Sequence, residues 1–130
     1  MKLPHRRQFL HLAAGTAALP FAPHVARAQA YPSRPVRIIV GFAAGGAPDI
    51  LGRVMAQWLS DRLGQQFIVE NRTGAAGNLA TEAALGAPPD GYYLLLVTVA
   101  NAISATLYDR LKFNFIGGVV PVAGISSVPT

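Results

Sequence analysis

The apolar period of the chain switches abruptly across one loop of small residues, and few folds accommodate that switch. "VRIIV", residues 36 to 40, is a β-branched run with the pattern of a strand covered on both faces, as in a parallel sheet. "GFAAGGAPD", residues 41 to 49, follows it. From Pro48 to Leu63 the apolar residues Leu51, Val54, Met55, Trp58, Leu59 and Leu63 recur at helical spacing, with Pro48 suited to the first turn and Gly64 to the stop. A buried strand feeding a helix through a short loop is the first half of a βαβ crossover, the connection that parallel strands need.

The rhythm repeats downstream. "QQFIVE", residues 65 to 70, reads as a second strand, "NRTGAAGN" as a loop, and Leu79 to Leu85 as a second helix ended by Gly86 and the pair Pro88, Pro89. After the Asp90-Gly91 turn, "YYLLLVT", residues 92 to 98, reads as a third strand, and Val119 to Ile125 as a fourth. The fold class that follows is α/β with a parallel sheet in βαβ layout.

Residues 1 to 30, "MKLPHRRQFLHLAAGTAALPFAPHVARAQA", stand apart from this rhythm. A basic start, an apolar middle and a small-residue finish make the order of a secretory signal peptide, cleaved near Ala28 or Ala30. Its apolar stretch, broken by Pro20 and Pro23, is too short for a permanent membrane helix. Arg6 and Arg7, followed by Gln8, Phe9 and Leu10, favour a twin-arginine export signal, with an ordinary secretory signal as the alternative. The chain has no cysteine, so it carries neither a lipid anchor on an N-terminal Cys nor a disulfide framework. The expected destination is the periplasm.

Setting the signal aside removes Lys2, Arg6, Arg7 and Arg27, four of the eleven cationic residues and none of the six acidic ones. The formal charge of +5 for the whole chain then falls to +1. A nucleic-acid partner, which needs a clustered basic face, loses its support. The same cut removes His5, His11 and His24, all three histidines, so residues 31 to 130 contain neither His nor Cys. Ser-His-Asp and Cys-His nucleophilic sites and N/S zinc sites are excluded within that span. The remaining carboxylates, Asp49, Asp61, Glu70, Glu82, Asp90 and Asp109, show no spacing that marks a general acid/base pair. The reading is a protein that is not an enzyme, with no cofactor and no metal.

In open parallel sheets ligands bind outside the carboxyl ends of the strands. "GFAAGGAPD", "NRTGAAGN" and "TVAN" occupy that edge, and two of the three are rich in glycine and alanine. Small side chains let a ligand approach the main chain, and the unpaired N–H groups of a helix's first turn attract anions. The pattern also fits glycines that merely free the backbone for a tight strand-to-helix turn, with Asp49 favourable near the positive helix end. Both readings stay open on the pattern alone. A nucleotide site fits neither the G-x-G-x-x-G spacing nor a P-loop, since no Lys-Ser or Lys-Thr follows.

The order of "GFAAGGAPD" after a strand, "VENRTGAAGN", "PPDGY" and "LYDRLKFNF", from Tyr31 to the end of the chain, resembles the tripartite tricarboxylate transporter receptors, also called the Bug receptors. The resemblance implies part of the first lobe of a two-lobed, flytrap-like periplasmic binding protein of type II kind. It implies capture of a small organic acid, whether a di- or tricarboxylate, an amino acid or an aromatic acid, for delivery to membrane transporter subunits. A monomer is implied as well. In that family the ligand carboxylate meets main-chain N–H groups and ordered waters at the strand-to-helix loops. Carried onto this chain, the first loop supplies Phe42, Ala43, Gly46, Ala47 and Asp49, the second Ala76, Gly77 and Asn78, and the third Thr98 and Asn101. An alternative use of the same flytrap is a ligand sensor that signals to a membrane partner.

The chain departs from the family pattern at Gly41 and Thr73, where many members have Pro, and at Gly117 and Gly118, where charge is usual. Members also carry two full lobes, whereas this chain stops at "SSVPT". The expectation is the N-terminal part of one lobe, a fragment or truncated product that binds poorly or not at all alone. Trp58, on the helical apolar stripe, is expected in the core. Arg72 is expected to pair with Glu70 or with water rather than with a ligand.

Overall fold

The computed structural model describes residues 30–108 and 111–127. The expected export signal, apart from Ala30, and residues Asp109 and Arg110 lie outside the described residues. Three parallel strands form one sheet in the order β2-β1-β3, with β1 at Val36–Val40, β2 at Phe67–Asn71 and β3 at Tyr93–Leu96. Val36 lies opposite Phe67 and Val40 opposite Asn71, while Arg37 lies opposite Tyr93 and Val40 opposite Leu96. The second strand begins and ends later than its apolar run suggested, and the third is shorter at both ends, since a strand extends only where it pairs with β1.

Helix α1, Ala47–Leu63, and helix α2, Asn78–Leu85, make the two crossovers. Helix α3, Val99–Leu107, follows β3, and a single turn, α4, spans Phe115–Gly118. Gly64 ends α1 in the left-handed region (φ 70°), its N–H donating to the Ser60 carbonyl at 3.0 Å, as the sequence signal required. Among the described residues no helix is long and apolar enough to cross a membrane.

Alternate residues of β1 serve different faces. Val36, Ile38 and Val40 pack with Phe67 and Ala56 beneath α1, joined by Phe42, Leu59, Val69, Leu94 and Leu96. Ile39 is buried on the other face, where α2 packs across β1 and β3.

Helix α1 approaches the sheet through its smallest residues. Gly52 and Ala56 are buried, and a Cβ on Gly52 would lie 3.3 Å from Val40 Cγ2 and 3.4 Å from Leu96 Cδ1. Close backbone approach decides the buried face, so the bulky side chains of Leu51, Val54 and Trp58 turn outward. Trp58 is therefore a surface residue, 49% exposed, with the Arg62 guanidinium 4.6 Å from its ring centroid. This corrects the expectation that it lies in the core.

Val119 to Ile125 is likewise no strand: it joins no ladder among the described residues, and Val120 and Val122 are 82% and 81% exposed. An extended segment becomes a strand only by pairing, and Pro121 removes a donor from its middle.

At the opposite end of the fold, Tyr31 Oη donates to the Gly91 carbonyl at 2.7 Å, and Arg34 pairs with Asp90 at 2.9 Å while lying 4.0 Å over the Tyr92 ring. These contacts pin the approach to β1 onto the turn before β3.

Candidate functional site

Parallel strands place their carboxyl ends on one edge, and all three strands hand over to helices there. The first loop turns at Gly45 (φ 83°). Gly46 caps α1 in extended geometry, with its N–H donating to the Ala43 carbonyl at 3.3 Å and its own carbonyl accepting from Ile50 at 3.0 Å. Pro48 in the first helical turn has no N–H, and the N–H groups of Ala47 and Asp49 beside it have no intrahelical partner. Ala43 and Ala47 beside them are exposed, so nothing bulky screens that end of the helix.

Asp49 is only 2% exposed and its carboxylate is already engaged. Oδ2 accepts from the Gly45 N–H at 2.8 Å and from Arg53 Nε at 2.9 Å, and Oδ1 accepts from Asn71 Nδ2 at 2.9 Å. Asn71 Nδ2 also donates to the Phe42 carbonyl at 3.0 Å, and Arg53 Nη2 donates to Asn71 Oδ1 at 3.3 Å. The hydrogen bond from Arg53, then those from Gly45 and Asn71, hold the Asp49 carboxyl far below the usual carboxylate range. The sequence offered Asp49 as a ligand group; the structure engages its oxygens with Gly45 of the loop, Arg53 of α1 and Asn71 of β2.

The second loop is left-handed. Gly74, Ala75, Ala76 and Gly77 have φ of 135°, 46°, 55° and 89°, and the Gly77 N–H closes the turn on the Gly74 carbonyl at 3.0 Å. Each alanine held there costs about 1–2 kcal/mol, the kind of backbone strain that concentrates at functional loops. Gly77 caps α2, and its carbonyl accepts from Thr81 Oγ1 at 3.2 Å.

The third loop is held by Asn101. Its Oδ1 accepts from the Thr98 N–H at 2.9 Å and from Thr98 Oγ1 at 3.0 Å, and its Nδ2 donates to Thr81 Oγ1 at 3.1 Å, which stitches α3 to α2. Gly77 is the point where the loops converge. A Cβ there would lie 3.4 Å from Asn101 Nδ2 and 4.0 Å from Phe42 Cε2, and a Cβ on Gly41 would lie 2.8 Å from Gly77 Cα.

Among the ten expected site residues, Ala43, Ala47 and Ala76 are exposed, Phe42, Gly46 and Thr98 are half-buried, and Asp49, Gly77, Asn78 and Asn101 are buried. Asn78 makes no side-chain hydrogen bond among the described residues, unlike Asn71 and Asn101. Sequence reasoning missed Gly41, Arg53, Asn71 and Thr81. The spacing of Asp49 and Arg53, one helical turn apart, was a usable signal; the other three depend on how loops and strands meet in space. Arg72 pairs with Glu70 at 2.7 Å as expected, and Glu70 also takes Arg37 at 3.0 Å. These arginines, Arg72 first, lower the Glu70 carboxyl. A separate cavity of about 250 Å³ lies beside α3 and α4, lined by Tyr108, Phe113 and Phe115 among others, and includes none of the expected site residues.

A family profile described as "Tripartite tricarboxylate transporter family receptor" matches residues 51–130. Protein BugT of Bordetella pertussis is 38% identical over 104 residues, covering 78% of this chain and 32% of BugT. A protein encoded in the TAR-I ttuE-ttuC' intergenic region of Agrobacterium vitis is 46% identical over 108 residues, covering 82% of this chain and 31% of its own length. The chain thus spans about a third of the length of the curated relatives it matches. A solved structure described as a periplasmic transporter superposes with a TM-score of 0.61 at 41% identity, over 65% of this chain and 29% of the other. MatC of Rhodopseudomonas palustris, solved with bound malate, superposes with a TM-score of 0.59 at 32% identity, again over 65% and 29% of the two chains.

Proposed function

Because the chain belongs to the tripartite tricarboxylate transporter receptor family, as an α/β part of one lobe of a periplasmic binding protein, we propose that it contributes half of a carboxylate-binding cleft. In this reading an exported receptor captures a small organic acid and delivers it to membrane transporter subunits, without chemistry. The first-turn N–H groups of α1 and the left-handed turn before α2 meet the carboxylate. Phe42, Ala43, Gly46, Ala47, Ala76, Gly77, Asn78 and Thr98 line its approach, while Asp49 and Asn101 frame the loops.

The observation that supports this most directly is the bare mouth of α1. An uncapped helix start flanked by Ala43 and Ala47 is open to an anion, and the helix dipole favours one there. The malate held by the structurally similar MatC is an anion of the required kind. Calorimetric titration with malate, succinate, citrate, glutamate and benzoate tests the reading on two proteins: the 130-residue chain and a receptor extended to the length of its relatives. Micromolar binding of at least one acid to the extended protein is expected, with weak or no binding to the chain alone because closure of a second lobe is missing. No heat from any acid with the extended protein would overturn the reading.

A further inference from the structure

We infer that Arg53 is a positioning residue that makes the mouth of α1 compatible with an anion by cancelling the charge of Asp49; this rests on the carboxylate reading above. Asp49 stands in the first turn of α1, the place where that reading puts the ligand carboxylate. An ionised side chain there favours the helix itself but repels a second negative charge at the same helix end. Two features remove the conflict. The oxygens of Asp49 are turned inward onto Gly45 and Asn71, and Arg53, 56% exposed at its side chain, closes over Oδ2 at 2.9 Å from the solvent side.

Asn71 completes the arrangement, since it receives Arg53 Nη2 at 3.3 Å and donates to both Asp49 and the Phe42 carbonyl. One guanidinium therefore fixes both the charge and the shape of the loop. Arginine suits the task because its planar fork reaches two acceptors at once, which an ammonium does less well.

The test follows the amide NMR signals of Ala43, Ala47 and Asp49 in the receptor extended to the length of its relatives, titrated at constant ionic strength with sodium malate or whichever of the five acids binds it. Arg53→Gln keeps a hydrogen-bonding side chain but leaves the Asp49 charge uncompensated. It should weaken binding by about fivefold or more, fivefold being the scale of one unit charge about 4 Å away when solvent screens it as bulk water does. Asp49→Asn combined with Arg53→Gln removes both charges and should recover most of that loss, and Arg53→Lys should retain most of the affinity. Circular dichroism melts on each variant separate loss of charge balance from loss of fold, because a purely structural role would make the double variant worse than the single one. Unchanged affinity in Arg53→Gln, or a double variant that binds no better than it, overturns the inference. If none of the five acids shifts these amides even in the unaltered extended receptor, while Arg53→Gln still melts as a folded protein, the carboxylate reading fails and takes the inference with it.

Discussion

Gly41 tolerates no side chain without a shift of main chain, because Gly77 lies against it, whereas Gly77 is constrained by its φ of 89° rather than by space. The group that a Cβ on Gly41 would strike, at 2.8 Å, is backbone and cannot swing aside. Gly41→Ala should therefore destabilise the protein by about 1–3 kcal/mol, the cost of overpacking a filled contact, read as a lowered urea midpoint. The left-handed turn gives the opposite sign. Ala76, at φ 55°, is relieved by glycine, which should raise stability by up to about 1 kcal/mol after the extra freedom of the unfolded chain is counted. Ala76→Val should lower it, and urea midpoints of the two variants compare the effects. Asp49 contributes through pH. Its folded carboxyl is held below the ordinary value of 3.8, so its stabilisation is complete above that value and drains away as pH falls towards the lowered one. The urea midpoint of the protein should drop below about pH 4, and Asp49→Asn should flatten that acid limb; an equal slope in the variant would show that other carboxylates carry it.

At the scale of elements, helix positions were legible because their signals are local: Pro48 near the start of α1, Gly64 at its end and the 3.6-residue period between. Which face of α1 would be buried was not legible, since apolar bulk and close packing point to opposite sides. Trp58→Ala should cost about 1 kcal/mol or less for a half-exposed ring, whereas Ala56→Leu should cost about 1–3 kcal/mol by forcing α1 off the sheet. Chemical denaturation of the two variants compares them directly. The segment from Val119 to Ile125 failed as a strand for a related reason, because a β-branched run states a preference while pairing needs a neighbour. The site shows the same division. Its loops could be found from glycine content and strand order, but the clasp of Asn71 on Phe42 and Asp49 exists only once β2 lies beside β1.

For the whole molecule, exposed apolar side chains gather on the last described stretch, at Ile116, Val120 and Val122. A chain a third as long as its relatives is expected to bind the dye ANS more strongly than the extended receptor, in a fluorescence comparison at equal concentration. The export reading is checked by intact mass: loss of residues 1–28 or 1–30 is expected for protein recovered from the periplasm, and an uncleaved mass would count against it. Strand order carries a last consequence, for synthesis. As the chain leaves the ribosome β1 emerges with neither neighbour. One partner arrives at Phe67–Asn71, the other only at Tyr93–Leu96, and the tie from Tyr31 to Gly91 closes over sixty positions. Such non-local pairing slows folding. The innermost strand is thus the first to be made and among the last to be satisfied, so a nascent chain halted before residue 93 leaves one whole edge of β1 without its partner strand.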